Sequence, residues 1–270
     1  MPPLTASSGQ PTGAIKGVTN MLMTLKKESE GSPIIVTFDA KGKTFRSDIY
    51  EEYKANRPPM PDDLREQLAP LKEICKAIGF PLIEIEGVEA DDVIATLVKI
   101  AKENNFKSVI SSLDKDLMQL VEDPVSSIMN TMTHQIFNEE KVFEKFGVKP
   151  SQIRDMLALV GDTSDNIPGV PKVGQKTAAK WLNEFGDLDG IRKNADSIKG
   201  VVGENLTQPI ALVVMNETKK IADDIKNNFE ALKPYAKWVE DNVGLQTQFV
   251  IAKEEAYDIY WKNKLVKVTL

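Results

Sequence analysis

Leu82-Ile-Glu-Ile-Glu-Gly-Val-Glu89-Ala-Asp91-Asp92-Val-Ile-Ala-Thr-Leu-Val-Lys-Ile100 is the stretch on which the fold turns. It opens with a short apolar run of strand length, residues 81–85, and passes through the cluster Glu89, Asp91 and Asp92. It continues with helical periodicity over residues 90–104. A strand feeding directly into an amphipathic helix is half of a βα crossover, and crossovers build parallel sheets. Glu89, Asp91 and Asp92 fall in the first turn of that helix, where the dipole favours negative charge.

The same unit recurs on both sides. Residues 34–38 and 107–111 read as strands, 62–78 as a helix, 114–121 as a short helix, and 126–130 as a further strand. The expected fold class is therefore α/β, a mostly parallel sheet flanked by helices. In open α/β sheets functional groups collect beyond the carboxyl ends of the strands. Asp39 follows the first run, the Glu89 cluster the second, and Asp114-Lys-Asp116 the third. A further pair, Asp162 and Asp165, follows the apolar run Leu157-Ala-Leu-Val160. Acids at helix N-termini also serve as plain caps, and one cluster alone would mean little. Several carboxylates gathered at one edge repel one another unless a cation lies between them, and an all-oxygen set suits hard divalent ions.

Composition narrows the chemistry. One cysteine, Cys75, and one histidine, His134, among 270 residues exclude a disulfide framework and a Cys/His zinc site. The start, Met1-Pro-Pro-Leu-Thr-Ala, lacks the pattern of a signal peptide, and no apolar run has transmembrane length. The expected compartment is the cytoplasm, with no membrane partner. A net charge of −6 does not by itself point to nucleic acid.

Positive charge is nevertheless local. Residues 47–56 read as a helix that places Tyr53, Lys54 and Arg57 within about one turn of each other. The prolines at 58, 59 and 61 then stop it before the next helix. Such a helical hairpin could hold a single strand, phosphates on its cations and a base on the tyrosine. A solvated amphipathic helix fits the same residues. Residues 138–206 read as a helical unit centred on Gly169-Val-Pro-Lys172-Val-Gly174-Gln-Lys176-Thr177, the pattern of a helix-hairpin-helix. The alternative is a helix turn with glycine caps. Residues 207–270 carry helical charge runs and no chemical signature.

Taken together these stretches resemble the 5′-3′ exonuclease (flap endonuclease) domain of bacterial DNA polymerase I. The likeness rests on Phe38-Asp-Ala-Lys-Gly-Lys-Thr-Phe-Arg46, Tyr53-Lys-Ala-Asn-Arg-Pro-Pro-Met-Pro-Asp-Asp-Leu64 and Gly87-Val-Glu-Ala-Asp-Asp-Val-Ile94. It continues through Asp114-Lys-Asp-Leu-Met-Gln-Leu-Val121 and Gly161-Asp-Thr-Ser-Asp-Asn-Ile-Pro-Gly-Val-Pro171, and covers about residues 2–206. The resemblance implies a PIN-like catalytic domain over 1–137 with a helical arch, and a helix–three-turn–helix subdomain over 138–206. Residues 207–270 remain unassigned.

It also implies a structure-specific 5′-3′ exonuclease and flap endonuclease, serving replication and repair with two Mg2+ or Mn2+ ions. Asp39, Glu89, Asp91, Asp92, Asp114, Asp116, Asp162 and Asp165 match the family's metal acids. Tyr53, Lys54 and Arg57 match the arch residues that steer the scissile phosphate. DNA contacts are implied at Arg46, Gly169, Val170, Lys172, Val173, Gly174, Lys176 and Thr177, with K+ at the hairpin. The implied partners are 5′ flaps and nicked or junction duplexes, with a DNA polymerase in trans.

Three departures accompany the match, one being that beyond about Leu206 the family's closing helix and strand are not recognisable. Leu113 stands where the family has glycine, which is expected to crowd the cleft. The family's opening strand, with its Val-Asp-Gly-Ser-type motif, has no counterpart before Leu4. That strand is central in such a sheet, so its neighbours are expected to carry unpaired backbone groups and cutting to be weak or absent. The alternative function is a remnant that grips duplex junctions through the hairpin without cutting.

Overall fold

A computed structural model describes residues 4–198 together with the backbone of 248–253. The long α1 (Gly13–Glu28) is followed by β1 (Ile34–Asp39), the short α2 (Phe45–Ile49) and α3 (Asp62–Ile78). Next come β2 (Leu82–Ile85), α4 (Ala90–Glu103), β3 (Lys107–Ser111), β4 (Ser126–Met129) and β5 (Ile136–Phe137). The helical unit comprises α5 (Glu139–Phe146), α6 (Ile153–Val160), α7 (Gln175–Phe185) and α8 (Leu188–Lys193). A two-residue ribbon, β6 (Gly161–Asp162) with β7 (Ile167–Pro168), joins α6 to α7, and β8 (Gln248–Lys253) comes last. Among the described residues no helix is long and apolar enough to cross a membrane.

Among the described residues the main sheet has six strands in the order β2-β1-β8-β3-β4-β5, all parallel except β5. β1 is buried along five of its six residues, and only Asp39 at its carboxyl end is exposed. That pattern belongs to a strand covered on both faces. One core cluster, running from Ile35 and Ile94 to Leu159, Trp181 and Ile191, is shared by the sheet and the helical unit. The second lies under α1 and α3 and includes Val18, Leu22, Val36, Leu64, Leu71 and Cys75. α3 shows why local signals sufficed there: Asp62 and Asp63 occupy its first turn, and Gly79 ends it at φ +92.

Three expectations are corrected. The sequence reading left residues 13–28 without an element, yet they form a helix whose Ala14, Val18, Leu22 and Leu25 are buried. Its N-terminus is held by Gln67, whose side-chain oxygen accepts from the N–H of Ala14 (2.8 Å) and Ile15 (3.2 Å). Second, no helix covers 47–56. α2 ends at Ile49, and Lys54 takes φ +57, in the left-handed region that a helix of L-residues cannot continue through.

The third correction concerns the centre of the sheet. β1 and β3 do not carry unpaired edges, because β8 lies between them, parallel to both. Ile34, Ile35, Val36 and Thr37 pair with Val250, Ile251, Ala252 and Lys253. On the other side Lys107 to Ser111 pair with Gln248 to Ala252. A strand from the far end of the sequence thus fills the central position. The rest of the segment 207–270 lies outside the described residues.

Candidate active site

The carboxyl ends of the parallel strands open onto a cleft of about 310 Å³ lined by Asp39, Glu89, Asp91, Asp114, Asp116, Asp162 and Asp165. Lys54, Arg57, Lys115, Ser112, Leu113 and Ser164 complete its walls. A second cavity of about 190 Å³ adjoins it, sharing Glu89, Asp91, Asp116, Asp162 and Asp165 and floored by Leu117, Leu120, Leu157 and Ile167. Seven of the eight acids read from the sequence therefore share one cleft.

Backbone hydrogen bonds hold three of the acids in place. Asp39 accepts from the N–H of Ala90 at the start of α4 (2.7 Å). Asp114 donates its N–H to Ser112 Oγ and accepts from the N–H of Asp116, each at 3.0 Å. Asp162 accepts from the N–H of Ser164 (2.8 Å) in the ribbon loop. Such turns fix the carboxylates before any ligand arrives.

Three cations offset part of the cleft's negative charge. Lys54 Nζ lies 2.7 Å from Glu89 Oε1 and 4.0 Å from Asp165 Oδ2, and Lys115 Nζ lies 3.0 Å from Asp162 Oδ2. Arg57 is paired with Asp165. Burial would lower the affinity of Arg57 and Lys115 for their protons, but Asp165 and Asp162 outweigh it and raise both. The Tyr53 hydroxyl stands 3.1 Å from Glu89 and 3.0 Å from Asp165. Burial first, then these two carboxylates, hold its proton in place. Its one proton is shared between the two acceptors.

Asp116 is the group left short. Burial, followed by Asp114 and Asp162, pushes its pKa up to about 7, with Lys115 opposing. Its Oδ1 is buried with no hydrogen-bond partner among the described residues. A carboxylate in this position gains most from an added cation. In this conformation, however, no group of three or more carboxylates among the described residues is drawn together tightly enough to hold a metal ion.

Several expected roles move elsewhere. Arg46 and Asp92 are spent on one another in a bidentate pair of 2.8 and 2.7 Å, at 4% and 1% exposure. Burial disfavours the Arg46 charge, yet the hydrogen bond and charge of Asp92, with Glu89, raise its pKa. Asp92 also accepts from the N–H of Glu89 (3.0 Å), capping α4, and lines neither cavity. This pair therefore builds the wall beneath Glu89, and Arg46 reaches open space only where it lines the second cavity.

Val170 and Val173 are core residues, 3% and 6% exposed. Their N–H groups donate to Leu159 O and Val170 O, so neither side chain nor amide is free for a phosphate. Gly169 answers a packing need: a Cβ there would stand 2.2 Å from the Val160 carbonyl. Lys172, Gly174 and Lys176 are exposed, Thr177 is half-buried, and Gly174 caps α7 without a side-chain hydrogen bond.

The expected helical arch is instead a chain of turns folded onto the ribbon loop. Lys54 N–H donates to Asp165 O, Asn56 to Thr163 O, Arg57 Nε to Ser164 O, and Asn166 to Glu52 O. The sequence reading passed over Lys115 as a site residue. Its signal was its place inside Asp114-Lys-Asp116.

Two family models match the chain. The 5′-3′ exonuclease N-terminal resolvase-like domain covers residues 1–147, and the 5′-3′ exonuclease C-terminal SAM fold covers 148–239. The chain belongs to the 5′-3′ exonuclease family. The second match runs to residue 239, beyond residue 206 where the motif-based likeness stopped. Within the family, the chain is 54% identical over 186 residues to DNA polymerase I of Pseudomonas aeruginosa, covering 69% of this chain and 20% of that protein. It is 47% identical over 194 residues to a 5′-3′ exonuclease of Aquifex aeolicus, covering 72% of this chain and 67% of that one. The chain thus spans about a fifth of the polymerase.

Among solved structures, bacteriophage T5 5′-exonuclease with bound zinc matches at TM-score 0.71 and 24% identity, over 87% of this chain and 92% of that one. That likeness bears on the fold. A T5 flap endonuclease in a pseudo-enzyme–product complex with DNA and metal ions matches at TM-score 0.70 and 25% identity, over 84% and 90%.

Proposed function

We propose that the chain is a divalent-metal-dependent 5′-3′ exonuclease and flap endonuclease that hydrolyses DNA phosphodiester bonds. The observation that carries this reading is the cleft itself, in which seven carboxylates and three cations line one cavity at the carboxyl edge of the sheet. An all-oxygen donor set of this charge suits two Mg2+ or Mn2+ ions, and the partnerless buried oxygen of Asp116 suits a cation's ligand. Asp39, Glu89, Asp91, Asp114, Asp116, Asp162 and Asp165 are the residues that would hold them. When bound, such ions supply Lewis-acid charge that activates water and offsets charge on the phosphate.

The chain's own cations have a second duty. Lys54, Arg57 and Lys115, now paired with Glu89, Asp165 and Asp162, are the groups that turn to the scissile phosphate. Tyr53 keeps its proton and orients Glu89 and Asp165 by hydrogen bonding. Exposed Lys172 and Lys176, at the hairpin, hold the duplex backbone without reading sequence, with K+ as the ion suited to that turn. The proposed substrates are 5′ flaps and nicked or junction duplexes in replication and repair, with a DNA polymerase as partner in trans.

A grip on DNA without cutting is the second reading. It is favoured by the same internal pairing, since Glu89 and Asp165 already have cationic partners. Cleavage of a labelled 5′-flap duplex in magnesium, comparing this chain with Asp114→Asn, separates the two. The nuclease reading expects the substitution to lower the rate at least about a hundredfold. Equal binding with no cleavage by either protein contradicts it and leaves the grip.

A further inference from the structure

We propose that the C-terminal strand β8 is the spacer that fixes the width of the acidic cleft, a positioning element supplied by the far end of the chain. The inference stands whether or not the cleft cuts DNA. Val36 of β1 and Ser111 of β3 share one partner on β8, Ala252, so the two residues stand level across the sheet. Asp39 lies three residues beyond Val36, and Asp114 three residues beyond Ser111. The two halves of the cleft are therefore aligned through β8 and through no direct pairing of β1 with β3.

Adjacent strands lie about 4.8 Å apart, so β8 holds β1 and β3 about 9.6 Å apart. Were β8 to leave, the facing edges of β1 and β3 would keep buried, unpaired N–H and C=O groups, or would close directly onto each other. The first outcome widens the cleft and the second halves the separation of its walls. Asp39 and the Asp114–Asp116 turn would lose their mutual position in both. The segment that follows the helical unit is thus tied to the relative position of Asp39 and the Asp114–Asp116 turn, which lie more than a hundred positions earlier.

Paired cysteines in the full chain test this. Cα partners in adjacent strands fall within the span a disulfide bridges, whereas a two-residue offset puts them about 8 Å apart, out of reach. Thr37→Cys with Lys253→Cys reports the β1 side, and Lys107→Cys with Gln248→Cys the β3 side. Thr37→Cys with Ile251→Cys is the offset control, and the natural Cys75 is buried in the cluster containing Val36. Mild oxidation is expected to close both register pairs and leave the control open. Failure of either register pair, or equal closure of the control, overturns the proposal.

The spacing itself is read by spin labels on Lys41→Cys and Gln119→Cys, exposed positions beyond β1 and β3. A single distance is expected in the parent chain and a shifted or broadened distribution with Ala252→Pro, which removes a ladder N–H. An unchanged distribution overturns the spacer role. The disulfide test leaves β8 in place, so it can still overturn the proposal where the proline variant does not fold.

Discussion

The cleft and the hairpin are both candidate contacts for a phosphate chain, and they are built in opposite ways. In the cleft, Lys54, Arg57 and Lys115 are already bound to Glu89, Asp165 and Asp162. At the hairpin, Lys172 and Lys176 are exposed, and neither has an ion pair among the described residues. On the proposed reading the hairpin would meet DNA as it stands, whereas the cleft would first exchange internal partners for a cation and a phosphate. A site assembled from opposite charges stays folded without its ligands, because like charges left alone would repel.

The foundation of the cleft gives the largest expected effect. Asp92→Ala leaves the Arg46 guanidinium buried without its bidentate partner and should destabilise the protein by about 3–5 kcal/mol in urea unfolding. A loss under about 1 kcal/mol would show that this pair does not support the wall, and the contrast with the open hairpin would weaken.

Next in size is the pH response of the metal-free protein. Asp116 has an ordinary value of 3.8 and a folded value of about 7, so between these the native state holds a proton that the unfolded state has released. Its contribution is greatest below about pH 4 and fades as pH rises to about 7. The difference should be on the order of 3 kcal/mol. Asp116→Asn should remove that slope in unfolding curves taken from pH 4 to 8. A parent and variant with parallel profiles would mean that Asp116 is not held in a crowded, buried set.

The hairpin gives the smallest effect. Lys172→Ala and Lys176→Ala should each weaken duplex binding uniformly across sequences and reduce the salt slope of binding by about 1. Fold stability should stay within about 0.5 kcal/mol, as for exposed side chains. Sequence-dependent losses would break the comparison, since the surface would then be reading bases.

Much of this was legible in the sequence where the determining contacts are local. α3 and β3 fall on their expected residues because caps and apolar period lie within each segment. The cleft acids were readable because each follows an apolar run in the chain, a strand for Asp39, Glu89 and Asp114 and the helix α6 for Asp162. The central strand was not. Gln248-Phe-Val-Ile-Ala-Lys253 is a plain apolar run, and its partners lie more than a hundred residues away. Register across such a distance is set by the assembled sheet.

Arg46 and Asp92 show the same limit from the other side. Nothing in composition separates a carboxylate that faces the cleft from one that faces inward, although the Glu89-to-Asp92 spacing already fits a capping box. The arch segment failed as a helix through tertiary contacts. Its turns are pinned by four hydrogen bonds to the loop 162–166.

The most direct measurement is a calorimetric titration of Mn2+ into the full chain at pH 7.5, repeated with Asp116→Asn and in buffers of different ionisation enthalpy. A cleft that trades its internal partners for divalent ions should bind manganese saturably, release protons as it does so, and lose affinity with Asp116→Asn. A folded chain that takes up no manganese, or takes it up equally well after the substitution, would contradict the assignment of the cleft as a metal centre.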